Sequence, residues 1–463
     1  MSSFASRFER AFHNLLPSPF TLAVLLTFSV FGTAVLFFKP AGANFLTHGL
    51  EVVGYWYDGI WNAPLLVFAY QMMLILVLGH VLALAPPVDD FIKRATKYCD
   101  TTAKAAAIIT AACVILGLIN WGLALIFGAI FARKVGEYAV QKGNKINYPL
   151  IGACGYTGLL VWHGGISGSS TIKAAEEGHL ASLLEGSTSI DFSALPTSVG
   201  FSETVFSPMN LSVSLALVLI LPFCAYAIGK NSLSTHHILH RFKKKEHKSE
   251  ARGFAEKLDF HPALSMILGL SALITAAAIA THSIQSGDGN FVNPNFINTT
   301  FLGLGLIAHG NLSRFAEAVE DAIRGASGIL IQFPLYFGIL GMMKGTGIVS
   351  EISAFFVSIS NQTTYPIFSF ISAGFVNILV PSGGGQWMVQ GPIIVEASQK
   401  MGLDLGKSIM AMAYGDQLTN MLQPFWALPL LSITGLRARD ILPFTVYFML
   451  IAGVIYIAGL LIF

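Results

Sequence analysis

Charge is scarce in this chain. Of 463 residues, 27 are Lys or Arg and 25 are Asp or Glu, 11% together, where an ordinary soluble domain carries roughly a quarter. A soluble protein of this length could not cover itself with so little charge, so a multi-domain cytosolic enzyme is excluded. Cysteine is equally sparse: Cys99, Cys113, Cys154 and Cys224 stand far apart with no CxxC or ligand spacing, which argues against a disulfide framework and a zinc site. A net charge of +2 offers no basic surface for nucleic acid. Neither Gly-rich run, GGISGSST nor PSGGGQ, is a phosphate loop, since no GK[ST] directly follows and no strand precedes, and no nucleophile–base arrangement or metal cluster appears, so no enzyme activity and no cofactor are expected.

What is abundant is apolar. Hydrophobic residues make up 54% of the chain, with 45 Gly, 35 Phe and 19 Pro, and mean hydropathy is +0.65. Runs long enough for a bilayer occur at 19–40, 62–86, 205–229, 263–282, 327–343 and 441–462, with a shorter one at 296–310. The class is an all-α polytopic membrane protein. The start, MSSFASRFERAFHNLLPSP, is a basic amphipathic lead without a small-residue cleavage site, so no signal peptide is expected.

Positive charge orients the spans. Arg7 and Arg10 place the N-terminus in the cytoplasm, and Lys93, Arg94, Lys97 and Lys104 place the loop after the second span there too. The segment 105–132 then ends in Arg133-Lys134, so both its ends belong inside, as in a re-entrant hairpin turning near Asn120-Trp121-Gly122. One ordinary tilted helix is the alternative and would put four cations outside. Segment 148–175 leads to an acidic outer stretch. Span 205–229 returns to the basic linker 230–262, whose His236, His237, His240 and His247 read as part of a solvated cytoplasmic connection. After 296–310 the stretch SRFAEAVEDAIRGAS is expected on the inner surface.

The two halves echo each other. GLIN at 117–120 returns as GFVN at 374–377, and each Asn is followed at similar spacing by a Tyr, Tyr156 and Tyr414, in a long apolar segment broken by polar residues. The expected organisation is a first repeat over 1–229 (hairpin 105–132, broken helix 148–175), the linker 230–262, and an extra helix plus second repeat over 263–463 (hairpin 367–398, broken helix 407–435). The extra helix reverses the parity, which gives the inverted-topology plan of secondary transporters with the site at the midplane.

Non-helical backbone at membrane depth survives where it lines a cavity or binds something. Four breaks qualify: at Asn120-Trp121, at His163 through Gly165, Ser167, Ser169 and Ser170, at Asn377 with Ser382-Gly383-Gly384-Gly385 and Trp387, and at Asp416 with Thr419 and Asn420. Gly permits close backbone approach, and half-helix N-termini offer N–H groups to an anion. The carboxylate of a substrate is expected at Ser382–Gly385 and Gly165–Ser169, with Asn120 and Asn377 fixing the tips and an alkyl tail against Trp387 or Trp121. Asp416 is read as a proton carrier, a Na⁺ ligand or a half-helix cap, with Thr419 and Asn420 beside it. His163 is read as a binding or proton-carrying group or a structural hydrogen-bonding one. A Na⁺ ion is placed, if anywhere, near Asn120, Ser170, Asn377 and Asp416. Packing glycines and interface tryptophans are the plainer alternative for any single run.

The stretches FERAFHNLLPSPFTLAVLLT, LINWGLALIFGAIFAR, LVWHGGISGSS, VPSGGGQWMVQGP and GDQLTNMLQPFWALP resemble the bacterial short-chain fatty acid transporter family, named for uptake of acetoacetate and butyrate and related to the sodium–dicarboxylate symporters. The resemblance implies a scaffold domain that dimerises, a transport domain that moves as an elevator, and sites at the hairpin tips and helix breaks. It also implies residence in the bacterial inner membrane. The chain differs from the dicarboxylate branch at the tips, with Ile-Asn-Trp and Ser-Gly-Gly-Gly in place of Ser-Asn-Thr. The expected function is uptake of small monocarboxylates with H⁺ or Na⁺. The competing readings are a sodium-coupled dicarboxylate or organic-anion symporter, a cation/proton antiporter using Asp416 and His163, and an anion channel.

Overall fold

A computed structural model describes residues 19–185, 190–232, 253–285, 291–379 and 383–463, whose regular secondary structure is all helix, without a strand. Ser382 and the four linker histidines lie outside the described residues. Among the described residues, five helices are long and apolar enough to cross a membrane.

The first half begins with α1 (Pro19–Phe37), α2 (Phe45–Ile60), α3 (Ala63–Ala83) and the short α4 (Pro86–Thr96). Helix α2 escaped the search for apolar runs because His48, Glu51 and Asp58 interrupt it. His48 is nonetheless buried, facing the Ala34 carbonyl at 3.3 Å and Glu51 at 3.3 Å. The segment expected as a hairpin folds as two packed helices, α5 (Thr102–Ile119) and α6 (Trp121–Lys142), joined at the single extended residue Asn120. It reaches well beyond 105–132. Arg133 does not end it, because its guanidinium is satisfied internally by Glu137 at 2.9 Å and the Ile433 carbonyl at 2.9 Å.

The broken helix follows as α7 (Tyr148–Tyr156), two 3₁₀ turns (Thr157–Leu160 and Trp162–Gly164) and α8 (Ser169–Ala174), then α9 (His179–Leu184) and α10 (Pro208–Asn231). The second half runs α11 (Phe254–Phe260), α12 (Pro262–Gln285), α13 (Pro294–His309), α14 (Leu312–Gly345), α15 (Ile348–Ile359), α16 (Thr364–Leu379), α17 (Gly383–Met401), α18 (Leu405–Thr419), a 3₁₀ turn (Asn420–Leu422), α19 (Pro424–Thr434) and α20 (Ala438–Ile462). SRFAEAVEDAIRGAS is not a separate surface segment. It forms the start of α14, one helix of 34 residues that runs on through Gly325 and Pro334 for about 51 Å.

The helices form two groups. In one, α1, α2 and α3 pack on α14, with α13 beside α3 and α12 on α13. In the other, the α5–α6 and α16–α17 hairpins surround the broken helices, together with α10 and α20. The groups meet where α3 crosses α6 and where α14 crosses α17. Within the second group backbones touch: a Cβ on Gly128 would lie 2.0 Å from the Gly155 carbonyl oxygen, the close crossing that small residues allow in lipid. Helix α12 is only 17% buried across its most apolar window, leaving a hydrophobic face that requires lipid around it.

Candidate functional site

The first break is held open by side chains. Asn120 caps α6, its Oδ1 accepting the Leu123 N–H at 2.8 Å while its amide donates to the Ile75 carbonyl at 3.3 Å. Ser167 accepts the Trp121 N–H at 3.2 Å, and Ile166 N–H donates to the Leu118 carbonyl at 2.9 Å. Gly165 is the contact point, since a Cβ there would sit 2.3 Å from the Leu118 carbonyl oxygen.

His163 crosses to the second break. Its Nδ1 lies 2.6 Å from Asp416 Oδ2, and both side chains are fully buried. Its Nε2 accepts the Ser170 backbone N–H at 3.0 Å. A nitrogen that accepts an N–H carries no proton of its own, so the ring proton sits on Nδ1 and Asp416 is the acceptor. The other carboxylate oxygen, Oδ1, is buried without a partner. Gln417 completes the joint, its Oε1 accepting the N–H groups of His163 at 2.9 Å and Gly164 at 3.2 Å.

The second break gathers oxygens. The Asn377 amide nitrogen meets the Asp416 carbonyl at 2.7 Å, Thr419 Oγ1 at 2.9 Å and Asn420 Oδ1 at 3.1 Å. One NH₂ has two hydrogens for three acceptors. Asn377 Oδ1 and Gln423 Oε1 are, like Asp416 Oδ1, buried and unpartnered.

The two tyrosines of the repeat are reciprocal. Tyr156 donates to the Asn420 carbonyl in the second break at 3.1 Å. Tyr414 donates to Asn210 Oδ1 at 3.0 Å, and the Asn210 amide holds the Gly164 carbonyl of the first break at 2.8 Å.

Above this polar joint lies a narrow cleft between the two helix groups. Met72 and Phe333 wall it from one side; Trp121, Leu159, Trp162, Ser169, Gly383, Gly384, Asn420 and Trp426 wall it from the other. Trp162 stacks on His163 with ring centres 4.4 Å apart, and Trp121 meets Trp426 edge-on at 5.1 Å. Its free volume is about 20 Å³, room for little more than one water. Gly383 and Gly384 open α17 at the cleft. A Cβ on Gly383 would lie 2.5 Å from Trp162, and one on Gly384 would lie 2.8 Å from Phe68 and 2.9 Å from Phe333.

Of the residues expected at the site, Trp121, Ser169, Gly383, Gly384 and Asn420 line the cleft. His163, Asp416, Ser170, Asn377 and Thr419 form the joint beneath it. Asn120, Gly165 and Ser167 shape the first break without reaching the cleft. Gly385 stands in the same first turn of α17 as its two neighbours. Trp387 is outside the cleft: its indole N–H donates to His179 Nε2 at 3.0 Å. The sequence reading missed Trp426, Met72 and Phe333. Trp426 stands two residues after Pro424 in GDQLTNMLQPFWALP, and its place beside a break was the available signal; Phe333 had one in the adjoining Pro334, and Met72, in an unbroken apolar helix, had none.

A buried polar joint between two broken helices, beneath a cleft in an all-helical, lipid-facing bundle, defines a polytopic membrane transporter. The family model for short chain fatty acid transporters matches residues 1–463, and the chain belongs to that family. A protein of Escherichia coli K12 that carries the provisional name short-chain fatty acid transporter is 35% identical, covering 100% of this chain and 99% of its own. A Haemophilus influenzae protein of the same provisional name is 36% identical over 99% of each chain. These relatives are transporters and not enzymes. Two solved structures share the fold: the Alcanivorax borkumensis YdaH transporter (TM-score 0.52, 14% identity, 96% of this chain and 98% of that one) and Neisseria gonorrhoeae MtrF, described as an antimetabolite efflux pump (TM-score 0.52, 15% identity, 99% and 97%).

Proposed function

We propose that this protein is a secondary active transporter that imports short-chain monocarboxylates such as butyrate or acetoacetate across the bacterial inner membrane. The observation that carries the reading is the make-up of the cleft. Its walls are aromatic and aliphatic, its polar groups are Ser169, Asn420 and the first turn of α17, and no Lys or Arg lines it. One carboxylate can rest on hydroxyl and helix N–H groups; a second would be buried uncompensated. That favours a monocarboxylate with a short tail over a dicarboxylate.

Coupling to H⁺ is assigned to the His163–Asp416 pair, where Asp416 Oδ1 is the open position for a proton. A Na⁺ reading has its own support in three oxygens, of the Asp416 carbonyl, Thr419 and Asn420, which converge on the Asn377 side-chain nitrogen, a position a cation takes in this reading when that amide turns away. The reciprocal Tyr156 and Tyr414 bonds support two repeats of inverted topology, with α5–α6 and α16–α17 entering from opposite sides and the N-terminus in the cytoplasm. In this reading the α1–α3 and α12–α14 group is the dimerising scaffold. The hairpin group moves against it as an elevator and widens the cleft between Met72, Phe333 and the tryptophans.

Counterflow in proteoliposomes tests the assignment. Labelled butyrate should exchange with internal butyrate, and succinate should not compete. Succinate exchange would move the protein to the dicarboxylate class, and exchange of neither would leave a cation antiporter.

A further inference from the structure

A second cavity, larger than the cleft, lies between α15, α16 and α17. Its free volume is about 170 Å³, comparable with an engineered apolar cavity of about 150 Å³ that takes up benzene. Met343, Ile352, Phe356, Val376 and Ile393 supply apolar walls, and Ser369, Ser372 and Gln390 put polar groups on the hairpin side. Ser369 is 5% exposed, and its hydroxyl is buried without a partner. Gln390 donates to Ser372 at 3.1 Å and accepts from Gln386 at 2.7 Å.

We propose that this cavity is a binding site for an uncharged amphiphile of short chain length, with a hydroxyl or un-ionised carboxyl head bonded to Ser369 and Ser372 and an alkyl body against Met343, Phe356 and Val376. A buried hydroxyl without a partner is destabilising, and a head group that pairs with Ser369 removes that cost. No Lys, Arg or His lines the cavity, so an anion would enter uncompensated and a neutral head is selected. The volume suits about six to eight non-hydrogen atoms. A primary alcohol and an undissociated short-chain acid share this chemistry. The site stands apart from the cleft and does not rest on the transport reading.

Binding of 6-fluorohexan-1-ol to the full chain in lipid nanodiscs, followed by ¹⁹F NMR against empty nanodiscs, tests the site directly. Saturable binding is expected, weakened at least tenfold by Ser369→Leu and by Val376→Phe. Competition separates the two ligand sources and holds even if both variants misfold. Hexan-1-ol should displace the probe equally at pH 7.5 and 5.5. Hexanoic acid should do so about a hundredfold better at pH 5.5, following its un-ionised fraction. Four results overturn the proposal: no saturable binding to the wild type, undiminished binding in both folded variants, binding only after lipid is stripped (an acyl tail is then the occupant), or hexanoate displacement that ignores pH.

Discussion

Replacing Asp416 with Asn should uncouple transport from its driving ion. The wild-type carboxylate accepts one bond, from His163 Nδ1 at 2.6 Å, and its other oxygen has no partner. A buried acceptor left unpaired costs about 1–3 kcal/mol, so a proton or cation that reaches Oδ1 would stabilise the site, which is the basis of the proposed coupling. Asn keeps the shape and can still accept the His163 proton through its own oxygen, but it carries no charge to attract an ion. A tenfold ion gradient provides about 1.4 kcal/mol and, for one ion per substrate, about tenfold accumulation. In proteoliposomes with such a gradient of H⁺ or Na⁺, Asp416→Asn should bring the accumulation ratio from near ten to near one. Exchange of labelled butyrate at equal concentrations should stay within about threefold, because the cleft above is unaltered. The gradient that drives the wild type identifies the coupling ion. If Asp416→Asn accumulates butyrate as the wild type does, the joint is structural and the coupling assignment is refuted.

Gly384→Ala should lower uptake about tenfold, because its Cβ would press on Phe68 and Phe333 at 2.8 and 2.9 Å, an overpacking worth about 1–3 kcal/mol. Phe333→Leu in the same chain should restore most of it, and a double variant as slow as the single one would sink the contact. Trp426→Ala should shift the preference toward hexanoate by about fourfold for each added methylene, at about 0.8 kcal/mol apiece; an unchanged acetate-to-hexanoate profile would remove Trp426 from the tail pocket. Lys104→Cys and Lys142→Cys should both react with a membrane-impermeant maleimide only from the cytoplasmic side, and reaction of either from outside would end the reading of α5–α6 as a hairpin.

What could be read in advance divides along a physical line. Breaks are legible because Gly, Pro and polar residues in an apolar run have few other uses at depth, and Asn120 and His163 stand at such interruptions; Asn377 and Asp416, read as breaks, lie in the last turns of α16 and α18. The partners of these residues are not legible. His163 meets Asp416 from the other half of the chain, and no local pattern sets that register; only the fold brings the two breaks together. The same reason hides the facing wall: Met72 lies in a helix whose sequence says only that it is apolar, Phe333 stands beside Pro334 in a helix that continues through it, and their place at the cleft comes from which helix crosses α6 and α17. Charge misled where it was satisfied internally. Arg133 read as the end of the hairpin, but its bonds to Glu137 and the Ile433 carbonyl let α6 continue to Lys142. The glycines show the limit from the other side, since one signal served two purposes: Gly165 is spent on the Leu118 backbone, while Gly384 opens α17 at the cleft and faces the scaffold aromatics. A glycine run therefore marks where backbones come close, and what they come close to is decided by the opposite half of the molecule.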